Sequence, residues 1–197
     1  KLQNRVAIVT GGARGIGRAI AIALGREGAS VVIADLRTKL AQEAAAEIEK
    51  NGSAALAVEV DVSKIGDLER MVETALGHFS RIDILCNNAG IGGGVGDLFA
   101  YTEEDWDHTI AVNLKSAFFA SQMVARVMID AGHGGAILNT ASTSAYIASS
   151  RATIPYDVSK AGMRHMTVSL AAHLADHGIR VNAIAPGTIE TDLGLMP

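Results

Sequence analysis

Tyr156 and Lys160 stand four residues apart, a spacing that puts two side chains on one face of a helix, a single turn from each other. A phenol with a reference pKa near ~10 is a poor proton shuttle at neutral pH, and a close ammonium favours its phenolate form. The pair can do general acid–base chemistry, or it can be helix packing plus a solvated charge. Asn139-Thr140-Ala141-Ser142 follows an apolar run, and a hydroxyl there could polarise a carbonyl oxygen. Thr143 and Ser144 are rival hydroxyls, and Ser/Thr-rich loops also serve simply as turn formers. Asn113 falls inside a helix-length segment although asparagine is a poor helix former. That suits a water-binding or proton-relay role, and equally an ordinary interior polar residue.

A second group of residues could hold a phosphate. In Thr10-Gly11-Gly12-Ala13-Arg14-Gly15-Ile16-Gly17 the glycines fall between an apolar run and a long helical segment. Glycines there let the backbone turn tightly and approach a pyrophosphate, whose charge is met by free N–H groups at the helix start. Asp35 ends the second apolar run, near the ~20-residue offset at which an acid meets an adenosine ribose. A carboxylate there accepts from both ribose hydroxyls and repels a 2′-phosphate, so NAD is expected over NADP. Arg14 and Arg37 can offset that preference by holding a 2′-phosphate, or they are solvated surface arginines. Asp61-Val62 could hold an adenine, with Asp61 accepting from its amine, or Asp61 or Ser63 could open the next helix as its N-cap. Asn87-Asn88-Ala89-Gly90 ends the fourth run with small and amide residues, suited to a close backbone approach or to a plain turn.

The elements that must position these residues alternate along the chain. Strand-like runs lie at Val6–Val9, Val31–Ala34, Leu56–Val58, Ile82–Cys86, Ala136–Leu138 and Val181–Ile184. Between them, apolar residues at three- and four-residue spacing predict helices over Arg18–Glu27, Leu40–Lys50, Leu68–Phe79, Trp106–Asp130 and Val158–Asp176. Several strands are apolar on both faces, as expected where helices cover both sides of a parallel sheet. The expectation is an α/β fold with a doubly wound parallel sheet, a Rossmann fold in strand order 3-2-1-4-5-6, with ligands outside the carboxyl ends of the strands. Gly92-Gly93-Gly94-Val95-Gly96 is a flexible patch after the fourth strand, either ligand-facing or a surface loop.

At 197 residues the chain suits one domain, 1–197, combining dinucleotide binding and catalysis. It stops shortly after the sixth strand with no closing helix, so a C-terminal segment that caps the site is expected to be missing. Hydrophobic residues make up 49%, yet no uncharged run approaches the ~20 residues of a membrane span. The net charge of −4 comes from 17 basic and 21 acidic residues spread along the chain, which argues against a nucleic-acid partner. Cys86 is the single cysteine and reads as a small buried strand residue. No Cys/His cluster has zinc spacing, so no metal is expected. The absence of a disulfide and of a charged-then-apolar leader leads to the expectation of a soluble, cytoplasmic protein.

Taken in order, Thr10-Gly11-x-x-x-Gly15-x-Gly17, Asn87-Asn88-Ala89-Gly90, Asn113, Ser142, Tyr156-x-x-x-Lys160 and Pro186-Gly187-x-x-x-Thr191 resemble the motif set of the short-chain dehydrogenase/reductase family across nearly the whole chain. The resemblance implies an enzyme that moves a hydride between NAD(H) and a secondary alcohol, polyol, sugar or carbonyl compound. Its alternatives are an NADP-dependent ketoacyl-type reductase and a catalytically silent nucleotide-binding module. It implies Tyr156 as general acid/base, Ser142 as substrate polariser, Lys160 on the nicotinamide ribose and favouring the tyrosinate, and Asn113 holding a relay water. Pro186, Gly187, Ile189 and Thr191 would contact the nicotinamide end, and Gly11, Arg14, Gly15, Ile16, Gly17, Asn88, Ala89 and Gly90 the rest of the cofactor. Ser142 stands one residue farther from Tyr156 than is usual in the family, which keeps Ser144 in reserve. Ser142 is preferred because it lies three after Asn139. The resemblance implies a seventh strand and a substrate-loop helix, which are expected to be missing from this chain. Ala145, Tyr146, Ile147, the glycine loop and Leu193 could line an apolar substrate pocket. The two long helices carry apolar residues, among them Ala117, Phe118, Met123, Val127, Met163, Met166 and Leu170, which by resemblance pair across a two-fold axis in a dimer or tetramer.

Overall fold

Six short runs rich in Val, Ile and Ala become β1 (Val6–Thr10), β2 (Ser30–Asp35), β3 (Ala55–Glu59), β4 (Ile84–Asn87), β5 (Gly135–Thr140) and β6 (Ile179–Ile184). In the computed structural model, which describes residues 1–92, 96–148 and 152–191, they form one parallel sheet in the order β3-β2-β1-β4-β5-β6. This is the expected doubly wound order. All five residues of β1 are buried, because its side chains meet helices on both faces.

The helices are α1 (Gly15–Arg26), α2 (Thr38–Lys50), α3 (Ile65–Phe79), α4 (Glu103–Ile110), α5 (Ser116–Asp130) and α6 (Ile154–Leu174). Val9, Val31, Ile33 and Cys86 point to one face, where they pack with Ala21 and Ile22 of α1 and Ala41, Ala44 and Ile48 of α2. Ile8, Val32, Leu85 and Ile137 point to the other, against Leu68, Met71 and Val72 of α3 and Val124 and Met128 of α5, with Leu170 and Leu174 of α6 alongside. Strand order reverses between β1 and β4, and in such sheets the crevice outside the carboxyl ends of these strands receives the ligand.

Most element boundaries differ by one to four residues from the sequence expectation, α1 and α3 each beginning three residues early, and three of the differences have a visible cause. The helix expected from Trp106 starts at Glu103, because Thr102 and Asp105 form a reciprocal capping box. It is also not one helix: Ala111–Lys115 form a π-helical turn between α4 and α5. The fourth strand starts at Ile84 rather than Ile82, since the Asp83 carboxylate turns to Arg5, Arg81 and the Val6 N–H. Finally, α6 begins at Ile154 rather than Val158. Pro155 lies in its first turn, where no backbone donor is needed, so Tyr156 is helical. Gly93, Gly94, Val95 and Leu193 lie outside the described residues. No helix among the described residues is long and apolar enough to cross a membrane.

Candidate active site

At the β1–α1 junction Gly17 is imposed by contact, Gly15 by conformation and Gly11, with a φ of +62°, by both. A Cβ on Gly17 would stand 2.1 Å from the Gly11 carbonyl oxygen, and one on Gly11 would stand 2.8 Å from Ala89 Cα. Gly15 has a φ of +53°, the left-handed region that glycine enters without penalty. Asn88 lashes the turn to β4: its Nδ2 donates to Thr10 O at 3.2 Å and to Gly11 O at 3.1 Å. Thr10 Oγ1 in turn accepts from the Asn88 and Ala89 N–H groups, each at 3.1 Å. Arg14 occupies the N-cap of α1 without a side-chain cap, and no acid lies in the first turn. The first N–H groups and the helix dipole are thus offered to an anion rather than satisfied by a side chain.

Asp35 is buried at the end of β2. Its Oδ2 accepts from Ala13 N at 3.1 Å and its Oδ1 from Arg37 N at 2.9 Å, which ties β2 to the glycine turn. Two oxygens offer about four acceptor sites, so capacity for ribose hydroxyls remains, while the Arg37 side chain is exposed. Asp61 differs from the expected helix cap, because the N-cap of α3 is Lys64. Instead its Oδ1 accepts from the Ser63 N–H at 3.1 Å and hydroxyl at 2.6 Å in the turn before α3. Those Ser63 bonds, with Lys64 beside it, hold its carboxyl below the usual carboxylate range against the opposing effect of burial. Val62 is buried against the core.

On the other side of the crevice, α6 carries Tyr156 and Lys160 on successive turns, with Lys160 Nζ 5.7 Å from the centre of the Tyr156 ring. Lys160 is 4% exposed and donates to Thr140 O at 2.7 Å. Burial pushes its ammonium down to about 8. A Cβ on Gly90 would lie 3.5 Å from Nζ and 3.3 Å from Asn113 Oδ1, so a glycine here leaves the ammonium a clear approach. Ser142 caps a one-turn 3-10 helix just past β5, and its Oγ accepts from Ser144 N at 3.1 Å. That bond uses an oxygen lone pair and leaves the hydroxyl proton to donate elsewhere. Ser144 is only half-buried.

Asn113 sits in the π-helical turn, fully buried. Its Oδ1 accepts from Ile91 N at 2.8 Å, and its Nδ2 donates to Ile91 O at 3.0 Å and to Ser159 Oγ at 3.1 Å. The β6 loop joins the same edge. Pro186 O accepts from Thr143 N at 3.0 Å, and Pro186, Ile189 and Thr191 share a cleft with Gly15 and Ile16 of α1. Thr191 Cγ2 lies 3.4 Å from where a Gly15 Cβ would be, and Gly187 stands beside Thr143. Gly15 and Thr191, 176 positions apart in the chain, therefore meet at one cleft.

Sequence reasoning missed two features. Ser159 bridges Asn113 to the Tyr156 carbonyl, and a serine between two chemically suggestive residues carries no signal of its own. Beneath the site, Asn87 Nδ2 donates to Asn139 Oδ1 and Ser121 Oγ, each at 2.9 Å, and Asn139 Nδ2 to Thr167 Oγ1 at 2.9 Å. This buried network holds the ends of β4 and β5 against α5 and α6. Two amides each closing an apolar run were the available clue.

The arrangement fits a nicotinamide dinucleotide. The cradle at Gly11, Gly15 and Gly17 is one that a Cβ would fill or strain. Lys160 brings three donors to a buried position where Thr140 O is the acceptor it meets among the described residues. Ribose hydroxyls suit both that ammonium and the Asp35 carboxylate.

Comparison with known proteins agrees. A family model described as short chain dehydrogenase matches residues 5–195. The chain is 40% identical over 190 residues to a sorbitol dehydrogenase of Cereibacter sphaeroides, covering 96% of this chain and 72% of that protein. It is 38% identical to glucose 1-dehydrogenase 2 of Bacillus subtilis, covering 97% of this chain and 74% of the relative. The crystal structure of a 3-ketoacyl-(acyl-carrier-protein) reductase from Brucella melitensis complexed with NADH superposes with a TM-score of 0.92 at 35% identity, covering 98% of this chain and 79% of that one. Sheet order, glycine turn and family match lead to one conclusion: the chain belongs to the short-chain dehydrogenase/reductase family, NAD(P)-dependent oxidoreductases that act on CH–OH groups.

Proposed function

We propose that residues 1–197 form one domain that uses NAD to interconvert a secondary alcohol, polyol or sugar with its carbonyl compound, with Tyr156 as the acid/base. The observation that carries the reading is the buried Lys160 ammonium, one helical turn from Tyr156 and facing the space left by Gly90. In alcohol oxidation Tyr156 takes the hydroxyl proton as a phenolate, and in reduction it returns a proton to the carbonyl oxygen. Positioned proton transfer of this kind contributes roughly 10²–10⁴-fold. Ser142 donates to the substrate oxygen and holds it beside Tyr156. Lys160 keeps positive charge near the phenol, favouring its ionised form, and holds the nicotinamide ribose, while Asn113 fixes the Ile91 backbone beside the site and holds a relay water.

The cofactor, when bound, supplies the hydride acceptor or donor. Gly11, Arg14, Gly15, Ile16 and Gly17 would hold its pyrophosphate, Asp35 the adenosine ribose, and Asp61 and Val62 the adenine. Asn88, Ala89, Gly90, Pro186, Gly187, Ile189 and Thr191 would surround the nicotinamide end. NAD is preferred because the Asp35 carboxylate stands where a 2′-phosphate would bring further negative charge. Two further readings accompany this one. Phe118, Met123, Ile129, Leu170 and Leu174 line a groove between α5 and α6 that suits pairing of two copies. The lone, buried Cys86, its thiol pushed up to about 12 by burial, suits a reducing, cytoplasmic setting.

Turnover of a panel of secondary alcohols, polyols and sugars with NAD+ and with NADP+ tests the assignment. The expected result is a kcat/KM at least roughly tenfold higher with NAD+, a preference worth about 1.4 kcal/mol. Asp35→Ala should narrow it. Equal efficiency with both cofactors contradicts the NAD assignment, and no turnover with any member contradicts the enzymatic one.

A further inference from the structure

We propose that Ser159 is a positioning residue for the reaction, the middle of a hydrogen-bonded strut that sets the height and angle of the Tyr156 turn over the crevice; the inference rests on Tyr156 being the acid/base. Ser159 is fully buried. Its Oγ donates to the Tyr156 carbonyl at 2.6 Å and accepts from Asn113 Nδ2 at 3.1 Å. Asn113 closes the strut on the β4 loop through both polar atoms of the Ile91 backbone, at 2.8 and 3.0 Å. Ile91 follows Gly90, the residue that faces Lys160 Nζ. An unbroken line of bonds therefore runs from the loop under the site, through Asn113 and Ser159, to the backbone of Tyr156.

Local helix stability does not account for this arrangement. A serine that bonds back to a carbonyl of the preceding turn is neutral to slightly unfavourable in a helix, and such bonds often bend it. The other end of the strut lies in the π-helical turn Ala111–Lys115, where Ser116 N donates to Ala111 O. Such turns insert a residue and re-aim a side chain, and they recur at functional sites. Both irregularities meet at one bond, between Asn113 and Ser159. Its effect is to prevent the first turn of α6 from rocking against the β4 loop, where a displacement of about 1 Å can cost on the order of 10²-fold in rate.

The test is a double-mutant cycle in the full chain, read as kcat, KM, NADH affinity by fluorescence titration and thermal midpoint. Ser159→Ala should lower kcat by roughly tenfold or more, with NADH affinity changed by less than about twofold, because the residue touches neither reactant nor cofactor. Added to Asn113→Ala, it should lower kcat by less than about twofold further, since the strut is already cut. Ser159→Thr keeps the hydroxyl and should retain kcat within about threefold. The proposal is overturned by a Ser159→Ala kcat within twofold of the unmutated chain, by losses that multiply independently across the cycle, or by Ser159→Thr falling as far as Ser159→Ala. Tyr156→Phe separates the two ideas. Full activity in that variant overturns the acid–base reading, whereas an inactive Tyr156→Phe beside an unaffected Ser159→Ala overturns the strut alone.

Discussion

At the scale of single residues, the Lys160 ammonium is held where its surroundings disfavour it. Burial lowers its pKa from 10.5 to about 8, so between those values the unfolded chain binds a proton that the folded chain has lost. Stability of the unliganded protein should therefore rise as the pH climbs from about 8 toward 10.5, and at pH 7 the charge costs about 3 kcal/mol. Lys160→Met should raise the unliganded thermal midpoint at pH 7, by less than that full amount because Thr140 O loses its donor, at about 1 kcal/mol. The climb with pH should vanish as well. Alcohol oxidation that survives should move to higher pH, because the charge favouring the phenolate is gone. A less stable Lys160→Met at pH 7, or an activity profile moved to lower pH, contradicts this role. The placement of Tyr156, Lys160 and Ser142 at one sheet edge was legible in the sequence, because helix spacing and strand ends put them there. Ser159 was not, because its role depends on Asn113 approaching from a turn whose π geometry no residue pattern announces.

Gly17 lies inside α1, where alanine would ordinarily stabilise a helix by up to ~1 kcal/mol. Here a Cβ meets the Gly11 carbonyl, so Gly17→Ala should lower both the thermal midpoint and NADH affinity. A stabilised variant that still binds NADH would show the turn to be looser than described. At the opposite end of the sheet, Asp83 accepts from Arg5, Arg81 and the Val6 N–H. Burial alone would raise its carboxyl, but the bonds from Arg81, Val6 and Arg5 outweigh that and hold it below the usual range. The stability it contributes is thus present above the unfolded carboxylate value near ~3.9 and is lost as the pH falls through the lower folded value. Asp83→Asn should cost about 2 kcal/mol at neutral pH, roughly 4–8 °C in thermal midpoint for a chain of this size. An unchanged midpoint would contradict that staple. Strand identity and order were readable from apolar runs covered on both faces. The start of β4 was not, because Asp83 sits in an apolar run yet belongs to an ion cluster built from distant Arg5. The start of α6 lies four residues before the expected Val158, because Pro155 is accepted in a first turn.

For the whole molecule, the fold brings the glycine turn before α1 and the Tyr156–Lys160 pair of α6 to one edge of the sheet. The face between α5 and α6 lies away from the crevice, and pairing there predicts a dimer or larger assembly by light scattering at micromolar concentration; a monomer mass would contradict it. Convergence of the β4, β5 and β6 loops was foreseeable from topology, since parallel strands end on the same side. The buried Ser121–Asn87–Asn139–Thr167 network was not, because its members come from four elements, α5, β4, β5 and α6. If binding falls to the glycine turn and chemistry to Tyr156, one variant separates them. Tyr156→Phe removes a single hydroxyl with minimal change of shape, so NADH titration and alcohol turnover should be measured on it together. NADH affinity should stay within about twofold of the unmutated chain while kcat falls by at least roughly 10²-fold. Turnover close to that of the unmutated chain would contradict the assignment of the proton to Tyr156.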